Sequence, residues 1–139
     1  MPSARILIID DERQTVDSLR DLLELYGYET EVALNKQVGI TILLERKMDV
    51  AIIGATVHEV SGVEILQEMK KLRPDLPVIM LGNQKSKRIK SAAIKAGVYE
   101  FIEKPVENMV ILQKIDQLLE LLFAPHPPKK TKVSAKSKK

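Results

Sequence analysis

Arg5-Ile6-Leu7-Ile8-Ile9-Asp10-Asp11-Glu12 sets four consecutive aliphatic residues directly before three acids. Neighbouring side chains of a strand point to opposite faces, so an unbroken apolar run suits a strand covered on both sides, as in a parallel sheet. Working outward, comparable short runs recur at residues 29–33, 50–53, 78–81 and 100–102. The first, third and fourth of the five are apolar almost throughout. Between them the apolar spacing turns helical. Val16, Leu19, Leu22, Leu23 and Tyr26 share one helix face, and Gly27 follows as a stop. Ser61-Gly62-Val63-Glu64 reads as a capping box before a helix through Leu66, Met69 and Leu72, ended by Pro74. Residues 86–96 read as a basic helix with Ile89, Ala92, Ala93 and Ala96 on one side, closed by Gly97. Ile111, Ile115, Leu118 and Leu122 mark a last helix. The segment 36–47 is the least patterned helix and holds Gly39, which costs ~1 kcal/mol relative to Ala. Five βα units joined by right-handed crossovers form an α/β fold, a parallel sheet covered on both faces. Ligands of such sheets bind beyond the strand C-termini, where strand order reverses. Chemistry is therefore expected at residues 9–12, 53–59, 81–84 and 103–105.

Of the chain's 139 residues, 45% are hydrophobic, yet it has only two Phe, three Tyr and no Trp, so an aliphatic core is expected. The length suits one domain. The absence of Cys excludes a disulfide framework and a thiolate metal site. No apolar run approaches the ~20 residues that span a bilayer, and the opening residues lack the apolar stretch of a signal peptide. A soluble, cytoplasmic protein is the expectation. The net charge of +3 has two unlike parts. Residues 124–139 hold six Lys and no acid; without them 16 Lys and Arg face 19 Asp and Glu, a net −3. A Pro-, Lys- and Ser-rich segment has little to bury, so a domain at 1–123 followed by a disordered basic tail at 124–139 is predicted.

Asp10 and Asp11, at the end of the first strand, can bind a hard cation such as Mg²⁺. For an isolated acid pair, capping of the following helix is the commoner role. Lys104 before Pro105, at the end of the fifth strand, can pair with those carboxylates or with a phosphoryl oxygen. Taken alone it is an ordinary solvated lysine.

Five segments together resemble the receiver domain of bacterial two-component response regulators. They are Ile6–Ile9 with its acids, Asp49-Val50-Ala51-Ile52-Ile53, Ser61-Gly62-Val63-Glu64, Pro77-Val78-Ile79-Met80-Leu81, and Ala96-Gly97 with Phe101-Ile102-Glu103-Lys104-Pro105. The likeness runs in order from about Arg5 to Leu122. It implies a flavodoxin-like (βα)5 three-layer sandwich with strand order 2-1-3-4-5. It also implies that Asp10 and Asp11 hold Mg²⁺, that Lys104 contacts phosphate, before a cis peptide to Pro105, and that Phe101 is the aromatic switch. Partners of the family type are a sensor histidine kinase, another receiver or a downstream signalling protein.

The sequence departs from the family at the decisive place. Gly54 stands where the phosphate-accepting aspartate belongs, and it offers neither a nucleophile nor a cation ligand. Gly82 replaces the hydroxyl residue that ends the fourth strand, and His58 replaces a loop proline. Asp49 lies ~16 Å back along its strand at ~3.3 Å per residue. Thr56 and Glu59 are the remaining candidates for a displaced acceptor, and nothing near Thr56 resembles an activating base. His58 lacks a second histidine in the domain with which to build a metal site.

The pattern predicts a stand-alone pseudo-receiver, not an enzyme, that acts through protein contacts without accepting phosphate at Gly54, with Mg²⁺ bound weakly or not at all. The alternatives are a phosphorylated regulator with a displaced acceptor and a nucleic-acid-associated regulator acting through its Lys-rich tail. Lys85, Lys87, Arg88, Lys90 and Lys95 form a basic stripe, either a solvated helix face or a dock for an acidic partner.

Overall fold

The computed structural model describes residues 4–123. The predicted tail, 124–139, lies outside the described residues. The chain divides into two compact units, with the boundary after Asn108.

In the first unit, β1 (Arg5–Ile9), β2 (Glu29–Ala33), β3 (Val50–Gly54), β4 (Val78–Gly82) and β5 (Glu100–Glu103) form one parallel sheet in the order β2-β1-β3-β4-β5. This is the flavodoxin-like arrangement expected. The central strands β1, β3 and β4 are the apolar ones; all of β3 and β4, and Ile6–Ile9 of β1, are buried. The edge strands β2 and β5 carry the polar residues. Burial on both faces removes the need for polar alternation, which is why the sequence marked the inner strands most clearly.

Four helices belong to this unit: α1 (Arg13–Leu25), α2 (Lys36–Glu45), α3 (Gly62–Leu72) and α4 (Lys87–Lys95). Leu7, Ile9, Ala51, Ile53, Val78 and Met80 make one core with Leu43, Ile65, Leu66, Met69 and Ala93 from α2, α3 and α4. Ile6, Ile8, Ile52 and Ile79 face the opposite way. The crossover through α1 runs back from β1 to the edge, so α1 lies on that second face. Between β1 and β3 the connections turn in opposite directions, which leaves a crevice over their C-terminal ends.

Several local expectations need adjustment. Tyr26 is 54% exposed, because the buried stripe of α1 is Val16, Leu19 and Leu23. Gly27 and Gly97 have φ of +95° and +96°, the left-handed conformation of a helix stop. Gly39 is not a mere weakness of α2: a Cβ there would overlap Ile9 Cδ1, so its absence lets α2 approach β1. The capping box at α3 is half formed. Ser61 Oγ accepts from Val63 N at 3.2 Å, but Glu64 accepts from Lys36 Nζ at 2.9 Å, tying α3 to α2 instead. The basic helix starts one residue later than predicted, after a 3-10 turn over Gln84–Ser86. The last helix, α5 (Asn108–Phe123), has Ile111, Leu112, Ile115, Leu118 and Leu119 buried, whereas Leu122 is 50% exposed. Its apolar stripe turns toward Leu119, which continues from Ile115 at i+4.

Candidate functional site at the strand ends

The C-terminal ends of β1, β3, β4 and β5 surround a cavity of about 180 Å³. Asp10, Asp11, Gly54, Thr56, Gly82 and Lys104 all line it, so the crevice assembles residues that are 94 positions apart in the chain. Asp10 is nearly buried, at 6% exposure. Its Oδ1 accepts from Glu12 N at 3.2 Å. Burial pushes the Asp10 carboxyl above the ordinary aspartate value, and the Glu12 N–H and the nearby Lys104 charge oppose that rise.

The Asp10 carboxylate leans over the glycine. A Cβ built on Gly54 would sit 3.1 Å from Asp10 Oδ2 and 3.2 Å from its Cγ. Part of the space that a side chain at position 54 would need is thus taken by Asp10.

Asp11 is also engaged. Its Oδ2 accepts from His58 N at 2.7 Å, and His58 Nδ1 stands 3.8 Å away. His58 and Glu59 form the tip of a tight hairpin, Thr56–Val57 paired with Val60–Ser61, and have φ of +48° and +66°. Two consecutive non-glycine residues in the left-handed region are strained, and the Asp11 carboxylate clamps the first of them. Neither acid caps α1: Glu12 is its N-cap residue, with no side-chain cap hydrogen bond.

Lys104 Nζ is 3.7 Å from Glu12 Oε1, so its ion-pair partner is the third acid, which sequence reasoning left without a role. Lys104 N donates to Gly82 O at 2.6 Å, and the Lys104–Pro105 peptide is cis. Ser86 is a second residue that the linear pattern did not single out. It is 8% exposed, lines the cavity, and its Oγ donates to Asn83 Oδ1 at 3.3 Å. A hydroxyl therefore reaches the cavity from the turn after β4, although Gly82 has none.

Other candidates fall elsewhere. Glu59 is exposed and does not line the cavity. Asp49 accepts from Arg5 N at 2.8 Å at the opposite end of the sheet, as its place on the strand required. Phe101 stands behind Gly82, and Lys87, Arg88, Lys90 and Lys95 are exposed on α4.

Residues 6–116 match the family model described as the response regulator receiver domain. The chain belongs to this family. This receiver domain is 32% identical over 117 residues to the transcriptional regulatory protein GlrR of Escherichia coli, covering 84% of this chain and 26% of that protein. It spans between about a quarter and a half of the length of such curated relatives. Among solved structures it resembles a CheY-like response regulator receiver domain protein from Methanospirillum hungatei, with a TM-score of 0.82, 31% identity, and coverage of 86% of this chain and 96% of that one. The receiver domain of NtrX from Brucella abortus gives a TM-score of 0.77 at 28% identity, covering 83% and 98%.

The residues do not make a full cation cage. Among the described residues no group of three or more His, Cys, Asp or Glu side chains is placed to hold a metal ion. Asp11 is committed to the hairpin and position 54 has no side-chain oxygen to offer. Among the described residues no helix is long and apolar enough to cross a membrane.

Proposed function

We propose that this receiver domain is a pseudo-receiver: it takes part in cytoplasmic two-component signalling by binding other proteins and does not accept phosphate at position 54. The observation that carries this reading is the Asp10 carboxylate lying 3.1 Å from the place of a Gly54 Cβ. Phosphoryl transfer to a receiver needs a carboxylate nucleophile held in line with the phosphorus and a cation to neutralise the transferring oxygens. Here the nucleophile is missing, its space is partly filled, and one remaining acid is tied to a hairpin. Asp10, Asp11, Thr56, Gly82 and Lys104 are then the remnant of a phosphate pocket, with Mg²⁺ bound weakly or not at all. No catalytic role is assigned to any residue.

The surface left for signalling is α4 with Phe101. Lys87, Arg88, Lys90 and Lys95 are the residues assigned to partner contact, the partner being a sensor histidine kinase, another receiver or a downstream protein. Incubation with acetyl phosphate and Mg²⁺, followed by mass mapping, tests the reading. The expected result is no phosphorylated peptide from the cavity. Stoichiometric phosphate on Thr56, Asp10 or Asp11 overturns it in favour of a displaced acceptor. The exposed Thr56 hydroxyl lines the cavity and is the acceptor that such an outcome would most simply name.

A further inference from the structure

The strand-end cavity carries more acid than its own contacts use. Asp10, Asp11 and Glu12 line it against a single cation, Lys104. Lys104 Nζ stands 3.7 Å from Glu12 Oε1, so those two charges offset each other and the two aspartates are left over. Asp10 is 6% exposed and accepts from Glu12 N through Oδ1. Its Oδ2 faces the bare side of Gly54, 3.1 Å from the place of a Cβ. Asp11 Oδ2 accepts from His58 N at 2.7 Å, which fixes that carboxylate, while its Oδ1 accepts no hydrogen bond among the described residues. A nearly buried carboxylate oxygen with no donor in front of it is costly unless something brings donors to it.

The donor set suits a hard metal ion poorly. Mg²⁺ demands near-octahedral oxygens at about 2.0–2.1 Å, and among the described residues no third acid stands with Asp10 and Asp11 to enclose one. An organic cation asks for less. Its N–H groups reach carboxylates at about 2.7–2.9 Å and need acceptors on one side only. Ammonium is a compact, strongly hydrated charge, whereas guanidinium is planar, carries its donors in a fixed fork and gives up water more readily. The second suits an oxygen that is almost buried. Gly54 puts no side chain over the end of β3, so a flat group can lie there. The cavity of about 180 Å³ holds the four heavy atoms of a guanidinium with room for water. Thr56, exposed at the rim, adds a hydroxyl acceptor.

We propose that Asp10 Oδ2 and Asp11 Oδ1, over the floor left bare by Gly54, form a binding site for a guanidinium group, carried by a small molecule or by an arginine side chain. The proposal rests on the reading of this chain as a pseudo-receiver and gives its cavity a ligand class. Any side chain at position 54 would press on Asp10 and cover the floor on which the group lies. The glycine that removes the nucleophile therefore also opens the site. No covalent bond is made or broken; charge-assisted hydrogen bonds hold the group.

The test titrates the ¹⁵N-labelled full chain, at constant ionic strength and pH 7, with methylguanidinium, methylammonium, Mg²⁺ and a blocked tripeptide with a central arginine. Methylguanidinium is expected to shift the amides of residues 10–12 and 54–56 saturably and to bind at least tenfold more tightly than methylammonium. Asp10→Asn is expected to weaken that binding at least tenfold. The variant should be no less stable than the parent, so its loss reports on the carboxylate and not on unfolding. Gly54→Ala, which adds one methyl to the floor, is expected to weaken binding several-fold. Tighter binding of the tripeptide than of methylguanidinium assigns the group to a protein side chain; equal or weaker binding assigns it to a small molecule. Four results overturn the site: no saturable shift, which leaves the cavity holding water only; an equal response to methylammonium; full binding in Asp10→Asn; or saturation of the same amides by Mg²⁺ at a lower concentration than methylguanidinium. Phosphate accepted in the cavity would overturn the pseudo-receiver reading separately, since the titration is run without a phosphodonor.

Discussion

Placing an aspartate at position 54 measures how far the cavity has moved from a phosphate-accepting one. The new Cβ would lie 3.1 Å from Asp10 Oδ2, so Asp10 must swing aside by a few tenths of an ångström. The introduced carboxylate would then stand at ~4 Å from Asp10, where two like charges repel by ~4 kcal/mol at an effective dielectric of ~20. The cavity opens to water and the pair can share a proton, so we expect a net loss of about 1–3 kcal/mol at pH 7. For a domain of this size that is a fall in Tm of roughly 3–10 °C. The sign with pH follows from linkage: the repulsion should raise the carboxyl pKa in the folded state, so the penalty is full above that raised value, shrinks as pH falls below it, and is gone only below the ordinary aspartate value. A divalent cation should offset the same repulsion by adding positive charge between the acids. Thermal unfolding of Gly54→Asp in EDTA at pH 7 and pH 4.5, and with added Mg²⁺, supplies the numbers. Gly54→Ala isolates the steric part and should cost less than ~1 kcal/mol, since a pivoting carboxylate is the only neighbour that must give. An unchanged Tm for Gly54→Asp at pH 7 in EDTA would refute the placement of Asp10.

Other variants probe neighbouring contacts. Asp10→Asn should raise stability at pH 7 in EDTA, because burial raises the folded-state pKa of Asp10 and makes its charge unfavourable. The gain should vanish as pH falls below the ordinary aspartate value, where the acid is protonated in both states, and denaturant titration at the two pH values reads it. Asp11→Ala removes the acceptor that holds His58 N and should cost about 1–2 kcal/mol, as loss of a charge-assisted hydrogen bond does. Combining it with His58→Gly should recover part of the loss in the same titration, since glycine accepts the left-handed φ. Gly39→Ala should destabilise by about 1–2 kcal/mol: overpacking against Ile9 outweighs the ~1 kcal/mol gained in helix propensity.

Much of the architecture was legible because buried strands and amphipathic helices leave different apolar periods. Residues 50–53 and 78–81 announced central strands, and the C-terminal ends of the strands located the crevice before any coordinates. The misjudged positions were those where a residue has two ways to satisfy the same pattern. Tyr26 and Leu122 continue their helical stripes past the point where anything covers them. Glu64 fits a capping box but has a lysine from α2 within reach. Ser86 and Glu12 carried no signal, since their roles come from the turn that follows β4 and from the approach of Lys104.

By itself the sequence determined the alternation of buried strands and helices, the emptiness of position 54 and the clustering of basic residues on one helix, because these depend on periodicity and residue type; the strand order came from the resemblance to receiver domains. The tertiary structure alone decided what the emptiness means. Only folding brings Asp10 over Gly54, ties Asp11 to the tip of a strained hairpin and sends the Phe101 ring into the space beside Gly82. A missing side chain leaves a volume, and which neighbour fills it depends on packing among residues distant in the chain.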